Sequence, residues 1–267
     1  MTSRRTAIVI CAVLLSHPDA RAQSSAPACA ATGSSMTPAS WRASPRHAQP
    51  APTPGLSMVR EMALPGPANR FDYQSVDPGS GRIYMNHMDA GTTIVFDADS
   101  NRVIGEIKGL ARATGVWAVP SHHEVYVSAA GSHEVAVIDD RTLAVTARVN
   151  GIRFPDGIAY VPGADKVFVS DESGGADVVI GAKSHAKRST IDLGGEAGNT
   201  HYDSVSHCVV VAVQTRNQLV AIDPARERIV QRYDLPGSDH PHGFAMDEDG
   251  RLAFGGRPVL LIFRPAP

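Results

Sequence analysis

Hydrophobic and polar positions along this chain follow a short beat. In RIYMNHMDAGTTIVFDADSNRVIGEI, residues 82–107, apolar runs of a few residues alternate with turns rich in Gly, Asp and Asn, and none has the three-to-four spacing of a helix. The same text returns as EVYVSAAGSHEVAVIDDRTLAVTARV at 124–149. Aligning the runs puts Tyr84, Tyr126, Phe168 and Val210 at a constant interval of 42 residues. Asp97, Asp139, Gly181 and Asp223 keep the same interval, and a shorter fifth copy covers 241–263.

Each copy predicts four strands of 4 to 7 residues joined by tight turns. A leading run (YQSVD, VWAVP, IAYVP, YDSVS, GFAMD) precedes an alternating one. A third run then ends at aspartate (TIVFD, VAVID, LVAID), and a fourth follows the turn. A four-stranded antiparallel unit of about 40 to 45 residues is the size of a propeller blade. The expected fold is therefore an all-β propeller with about five blades. Repeats fall near 70–110, 111–152, 153–195 and 196–238, with a partial one at 239–267. The recurring aspartate is expected to cap the next turn through its own carboxylate.

GRIYMNH and KVFVSDE, followed by IVFDADSNRVIGEI and LVAIDPARERIVQRYDL, resemble the YVTN-repeat, YncE-like family of secreted bacterial β-propellers over roughly residues 58–263. The resemblance implies a rigid ring whose members commonly have seven blades, and this chain is shorter. The 210 residues from 58 to 267 equal five periods, which permits a closed five-blade ring, and a seven-blade chain shortened at its C-terminus gives an open arc. Residues 59–66 (VREMALPG) resemble RYDLPG at 232–237, so they are expected to complete the last blade.

Composition adds the compartment and excludes some partners. Lys plus Arg number 25 against 27 Asp plus Glu, evenly spread, which is no footprint for nucleic acid. Arg4 and Arg5 precede an apolar run from Thr6 to Leu15 and an Ala20-Arg21-Ala22 site, the pattern of a secretory signal peptide cleaved after Ala22. No stop-transfer stretch follows, so export to the periplasm without a transmembrane segment is expected. Residues 23–57 are dominated by Ala, Ser, Pro and Thr and read as a flexible linker to a propeller domain at 58–267. Cysteine spacing indicates no disulfide framework. Cys208 reads as a small buried hydrophobe, and Cys29 lies in the linker.

Propeller ligands sit at the channel mouth, on the face formed by the loops leading into each innermost strand and those joining the second and third strands. The former are RFDY, ATGVW, FPDG, NTHYD and DHPHG. Aligning their text sets Asp72, Gly115, Gly157, His201 and Gly243 together. The glycines are expected where the chain needs positive φ and close packing, so Asp72 and His201 stand out as exceptions with a possible function. The candidate ligand-binding set is Asp72, Asp156, His201, His240, His242 and Asp171, with His87, Asp89 and Glu172 on the same face. Asp72, Asp156, His201 and His242 are the candidates for a divalent metal, although no tight ligand motif is present.

Other features point away from the mouth or away from catalysis. His122 and His123 belong to a turn on the opposite face and are expected to be exposed, as is the basic turn AKSHAKR at 182–188. No G-x-S-x-G elbow, phosphate-binding loop or C-x-x-C-H haem site occurs. The expected function is a non-catalytic periplasmic module binding a protein or small ligand at the channel mouth. The alternative is a divalent-metal lactonase-like hydrolase of the kind seen in gluconolactonase-like propellers.

Overall fold

A computed structural model describes residues 28–29 and 61–246, with the backbone of two further strands at 252–256 and 259–263. The predicted signal peptide and nearly all of the predicted linker lie outside the described residues.

Nineteen strands are described. The first blade holds β1 (Gln74–Asp77), β2 (Arg82–His87), β3 (Thr92–Asp97) and β4 (Arg102–Lys108). The second holds β5 (Ala113–Val119), β6 (Glu124–Ala129), β7 (Glu134–Asp139) and β8 (Val145–Asn150). The third holds β9 (Pro155–Val161), β10 (Lys166–Asp171), β11 (Ala176–Gly181) and β12 (Ala186–Asp192). The fourth holds β13 (Ala197–Asp203), β14 (Cys208–Val213), β15 (Gln218–Asp223) and β16 (Arg228–Asp234). A three-stranded sheet of β17 (Phe244–Met246), β18 (Leu252–Gly256) and β19 (Val259–Phe263) comes last. Every sheet is an antiparallel meander in chain order, and among the described residues no strand pairing joins one sheet to another.

Why these sequences make stacked blades follows from the period of two. Second and third strands are apolar on both faces, so each blade must be covered on both sides. Tyr84 and Val95 of the first blade pack with Val116, Val125, Val127 and Ile138 of the second. Tyr126, Val135 and Val137 meet Ile158, Val167 and Ile180 of the third, and Phe168 and Val179 meet Val209, Val211 and Val220 of the fourth. Tyr84, Tyr126 and Phe168, the aromatic markers of the repeat, are fully buried at these interfaces.

The recurring aspartate caps its turn as expected. Asp97 accepts from the Ser100 amide, Asp139 from those of Arg141 and Thr142, and Asp223 from those of Ala225 and Arg226.

Two expectations are corrected and a third is corrected in part. Residues 61–66 form no strand of the last blade; Met62 and Leu64 lie against Ile83, Met85 and Phe96 of the first. Cys208 is bonded to Cys29 in a disulfide, which ties the chain ahead of the propeller to the first residue of β14. The opposite-face turns, largely exposed as expected, also fasten neighbouring blades. His122 Nε2 lies 2.6 Å from Asp165 of the third blade, and His185 and Arg188 of the 182–188 turn reach Glu124 and Glu227 on neighbouring blades. His122 and His185 are the residues of these turns that their contacts half-bury.

Candidate functional site

Strand pairing fixes the register of the innermost strands better than their text does. Gln74 pairs with Met85, Val116 with Val127, Ile158 with Val169 and Thr200 with Val211. The residues just ahead of these are Tyr73, Gly115, Gly157 and Asn199, again 42 apart, so the exceptions to glycine are Tyr73 and Asn199 rather than Asp72 and His201. Gly115 and Gly157 do not have positive φ. Close approach is the reason for glycine here: a Cβ on Gly115 would come within 1.8 Å of the Asp156 carbonyl oxygen.

One residue further back lie Asp72, Thr114, Asp156 and Gly198. Pairing is irregular around Thr114, Asp156 and Gly198, each within a register shift of its innermost strand, and such a bulge re-aims side chains. His242 stands two residues before Phe244, the first residue of β17, as Asp72 stands two before Gln74. Asp72, Thr114, Asp156 and His242 all line one cavity of about 220 Å³. Arg70, Arg112 and Phe154, at the same interval of 42, form its rim, and Met88 and Glu172 enter from the loops after the second strands. Each wall is thus one repeat position, and differences between copies make the cavity chemically uneven. Two arginines face it from the first two blades, and acids gather at the third.

The geometry is specific. His242 Nε2 lies 3.5 Å from Asp156 Oδ2. The Tyr73 hydroxyl is 3.2 Å from the same oxygen and is hydrogen-bonded to Asn199 Oδ1, so the first blade reaches the fourth across the channel. Arg70 pairs with Asp72 at 3.2 Å, and the Arg112 guanidinium lies 5.3 Å from the centre of the Phe154 ring. Oxygen or nitrogen atoms of Asp156, Glu172 and His242, one from each, fall within 4.8 Å of one another.

Electrostatics mark the same residues. Burial pushes the Asp72 carboxyl up, against the pull of Arg70. Burial also raises Asp156; His242 opposes the shift and Asp72 adds to it. Glu172 is pushed up to about 7, first by burial and then by the charges of Asp156 and Glu196. Desolvation, helped by Asp156 and Asp72, holds Tyr73 firmly as the neutral phenol. Shifts of this kind gather at functional sites, and they make this cleft the candidate.

The other candidates lie elsewhere. His201 packs edge-on to Phe244 at 4.7 Å, between the fourth and last sheets, and burial lowers its pKa. His240 is an exposed turn residue with φ 49° beside Asp239. Asp171 accepts from the amides of Arg153, Phe154 and Gly174 and so holds the loop that delivers Asp156. His87 is buried against Phe71, and Asp89 is exposed in a short 3-10 turn. Sequence reasoning assigned no role to Tyr73, Thr114 or Arg112; the 42-residue interval was the signal that could have found them.

Comparisons bear on the fold alone. No family profile and no curated protein sequence matches the chain. Among solved structures, the Kuenenia stuttgartiensis hydrazine synthase superposes with a TM-score of 0.64 at 19% identity, over 74% of this chain and 58% of that one. A streptogramin B lyase gives 0.62 at 15% identity over 74% and 70%. A chain of the mitotic checkpoint complex gives 0.69 at 16% over 78% and 65%. This chain therefore spans under two thirds of the hydrazine synthase chain. With these propeller neighbours, the sheets define the class: an all-β propeller built of four-stranded antiparallel blades.

Proposed function

We propose that this propeller is a binding module of the bacterial periplasm that holds a small polar ligand at its channel mouth. The observation that carries the reading is the convergence of Asp72, Tyr73, Asp156, Glu172 and His242, from two blades and the lead into the last, on one 220 Å³ cavity. Three of their carboxyls are raised by burial, a standing cost that a ligand relieves. The arginines at the rim suit an anionic group on that ligand.

Membership of the YVTN-repeat, YncE-like propellers is part of the proposal and rests on the 42-residue repeat. Export rests on the N-terminal charge and apolar pattern and on the Cys29–Cys208 disulfide, since such bonds persist in oxidising compartments. Among the described residues no helix is long and apolar enough to cross a membrane.

The test is a melting-temperature screen of the purified protein with small carboxylates, amines and lactones. Binders should raise the melting temperature of the wild type and of His240→Ala but not of Asp156→Asn. A screen in which Asp156→Asn responds like the wild type removes the site. Turnover of a lactone would replace binding by hydrolysis.

A further inference from the structure

Resting on the channel mouth as the binding site, we propose that Asp156, Glu172 and His242 hold one divalent cation of the zinc or manganese class, with coordination positions left open to an anionic ligand. Carboxylate and imidazole donors lie about 2.0–2.2 Å from such an ion, so donors at tetrahedral angles stand about 3.5 Å apart. The three donor atoms here are already within 4.8 Å of one another. His242 Nε2 and Asp156 Oδ2 already stand 3.5 Å apart, and His242, with a side chain 41% exposed, and the half-buried Glu172 have the freedom to close the remaining gap of about an ångström.

The donor chemistry matches. Imidazole with two carboxylates suits zinc and manganese rather than soft-ligand metals, and two carboxylates balance a double positive charge. Three protein ligands leave at least one position vacant, the arrangement of a site that takes a further ligand. That position has Arg70 and Arg112 at the rim, so a carboxylate or similar anion would be held at both ends. Tyr73 supplies the outer support: its hydroxyl hydrogen-bonds Asp156 Oδ2 and orients the carboxylate.

Placement in the cavity, more than burial, sets these residues apart. No Lys or Arg forms an ion pair with Asp156 or Glu172 among the described residues, although Asp156 has a side chain only 5% exposed. Glu134 and Asp223, comparably buried, pair with Arg148 and Arg226, whereas Asp77, Asp171 and Asp177 are buried without such a pair. Of the buried carboxylates lacking one, Asp156 lines the cavity beside a second carboxylate and an imidazole.

The experiment uses the full exported protein, stripped with chelator and titrated calorimetrically with Zn²⁺ and with Mn²⁺, alongside elemental analysis of unstripped material. One ion per chain is expected. Asp156→Asn, Glu172→Gln and His242→Ala should each weaken it by more than tenfold, Tyr73→Phe by roughly tenfold, and His240→Ala not at all. Circular dichroism of each variant shows that loss of binding is not loss of fold. A wild type that takes up no ion, or three variants that bind like it, overturns the proposal. If the wild type takes no ion but Asp156→Asn still loses the response to small ligands, the metal site falls and the binding pocket stands. If neither ions nor small ligands bind, both fall.

Discussion

The two faces of this propeller use the same residue types to opposite ends. At the face opposite the mouth, Lys166 Nζ lies 2.8 Å from Glu227, which also accepts from Arg188 and Ser189. Burial alone would raise Glu227, but Lys166, Ser189 and Arg188 outweigh it and hold the carboxyl at about 2. There too Arg82 reaches the Asp140 carbonyl, His122 reaches Asp165, and His185 reaches Glu124, each across a blade boundary. At the mouth, carboxyls lie near one another with too few cations, and their pKa values rise. Charges on one face fasten blades; on the other they stand together at a cost in stability, which is what the proposed binding site would relieve.

The strongest way to break the first half of that contrast is to unfasten its covalent member. Cys208 opens β14 at the end of the turn that faces away from the mouth, and its partner stands 179 residues earlier. A cross-link over so long a loop removes much entropy from the unfolded chain, so Cys29→Ser should cost about 2–5 kcal/mol by denaturant titration. Binding at the mouth should persist at temperatures where the variant is folded. If reduction of the wild type leaves the unfolding midpoint unchanged, the disulfide does not fasten the fold.

Next in size is the Glu227 cluster. Glu227→Ala leaves Lys166, which is 8% exposed, with only the carbonyls of Pro224 and Ala225, and it frees Arg188. A loss of about 2–3 kcal/mol at neutral pH is expected from breaking such a largely buried pair. The sign with pH follows from the lowered value. The unfolded Glu227 titrates at 4.5 and the folded one at about 2, so its contribution is complete above 4.5 and disappears as pH falls towards 2. Wild type and variant should therefore converge in stability at acid pH. A gap that stays constant from pH 7 to pH 2 would show that packing, not charge, makes the contribution.

How much of this was readable from the sequence differs between the faces. The blades were legible because burial on both sides of each sheet demands apolar runs with a period of two, and four copies repeat the demand at one spacing. Asp97, Asp139 and Asp223 were legible for a local reason, since a turn cap needs only its own next few residues. The fasteners were not, because His122 meets Asp165 43 residues away and His185 meets Glu124 61 residues away, and nothing local signals either contact. Cys29 and Cys208 failed the same way. At the mouth, Asp72, Asp156 and His242 were found by residue type. His201 was misplaced because loop text was aligned without the register shift between Ala197 and Thr200, and that shift turns His201 towards Phe244 instead of the channel.

The smallest expected effect sharpens the second half of the contrast. Glu172 titrates at about 7 in the folded protein against 4.5 when unfolded, so the native state binds the extra proton between those values. Its contribution to stability is then fully present below 4.5 and is lost as pH rises through about 7, the reverse of Glu227. Glu172→Gln, which keeps the shape and removes the charge, should flatten that slope and raise stability at pH 8 by about 1 kcal/mol, the scale of one pKa unit after allowance for its partial exposure. The measurement is the unfolding midpoint of wild type and variant at pH 5 and pH 8 in the presence of chelator. Adding Zn²⁺ should reverse the order at pH 8, because only the wild type keeps the full ligand set and ion binding to the native state adds to its stability. If the variant stays the more stable of the two with the ion present, the strain at the mouth is not relieved by a cation, and the two faces differ in charge without differing in purpose.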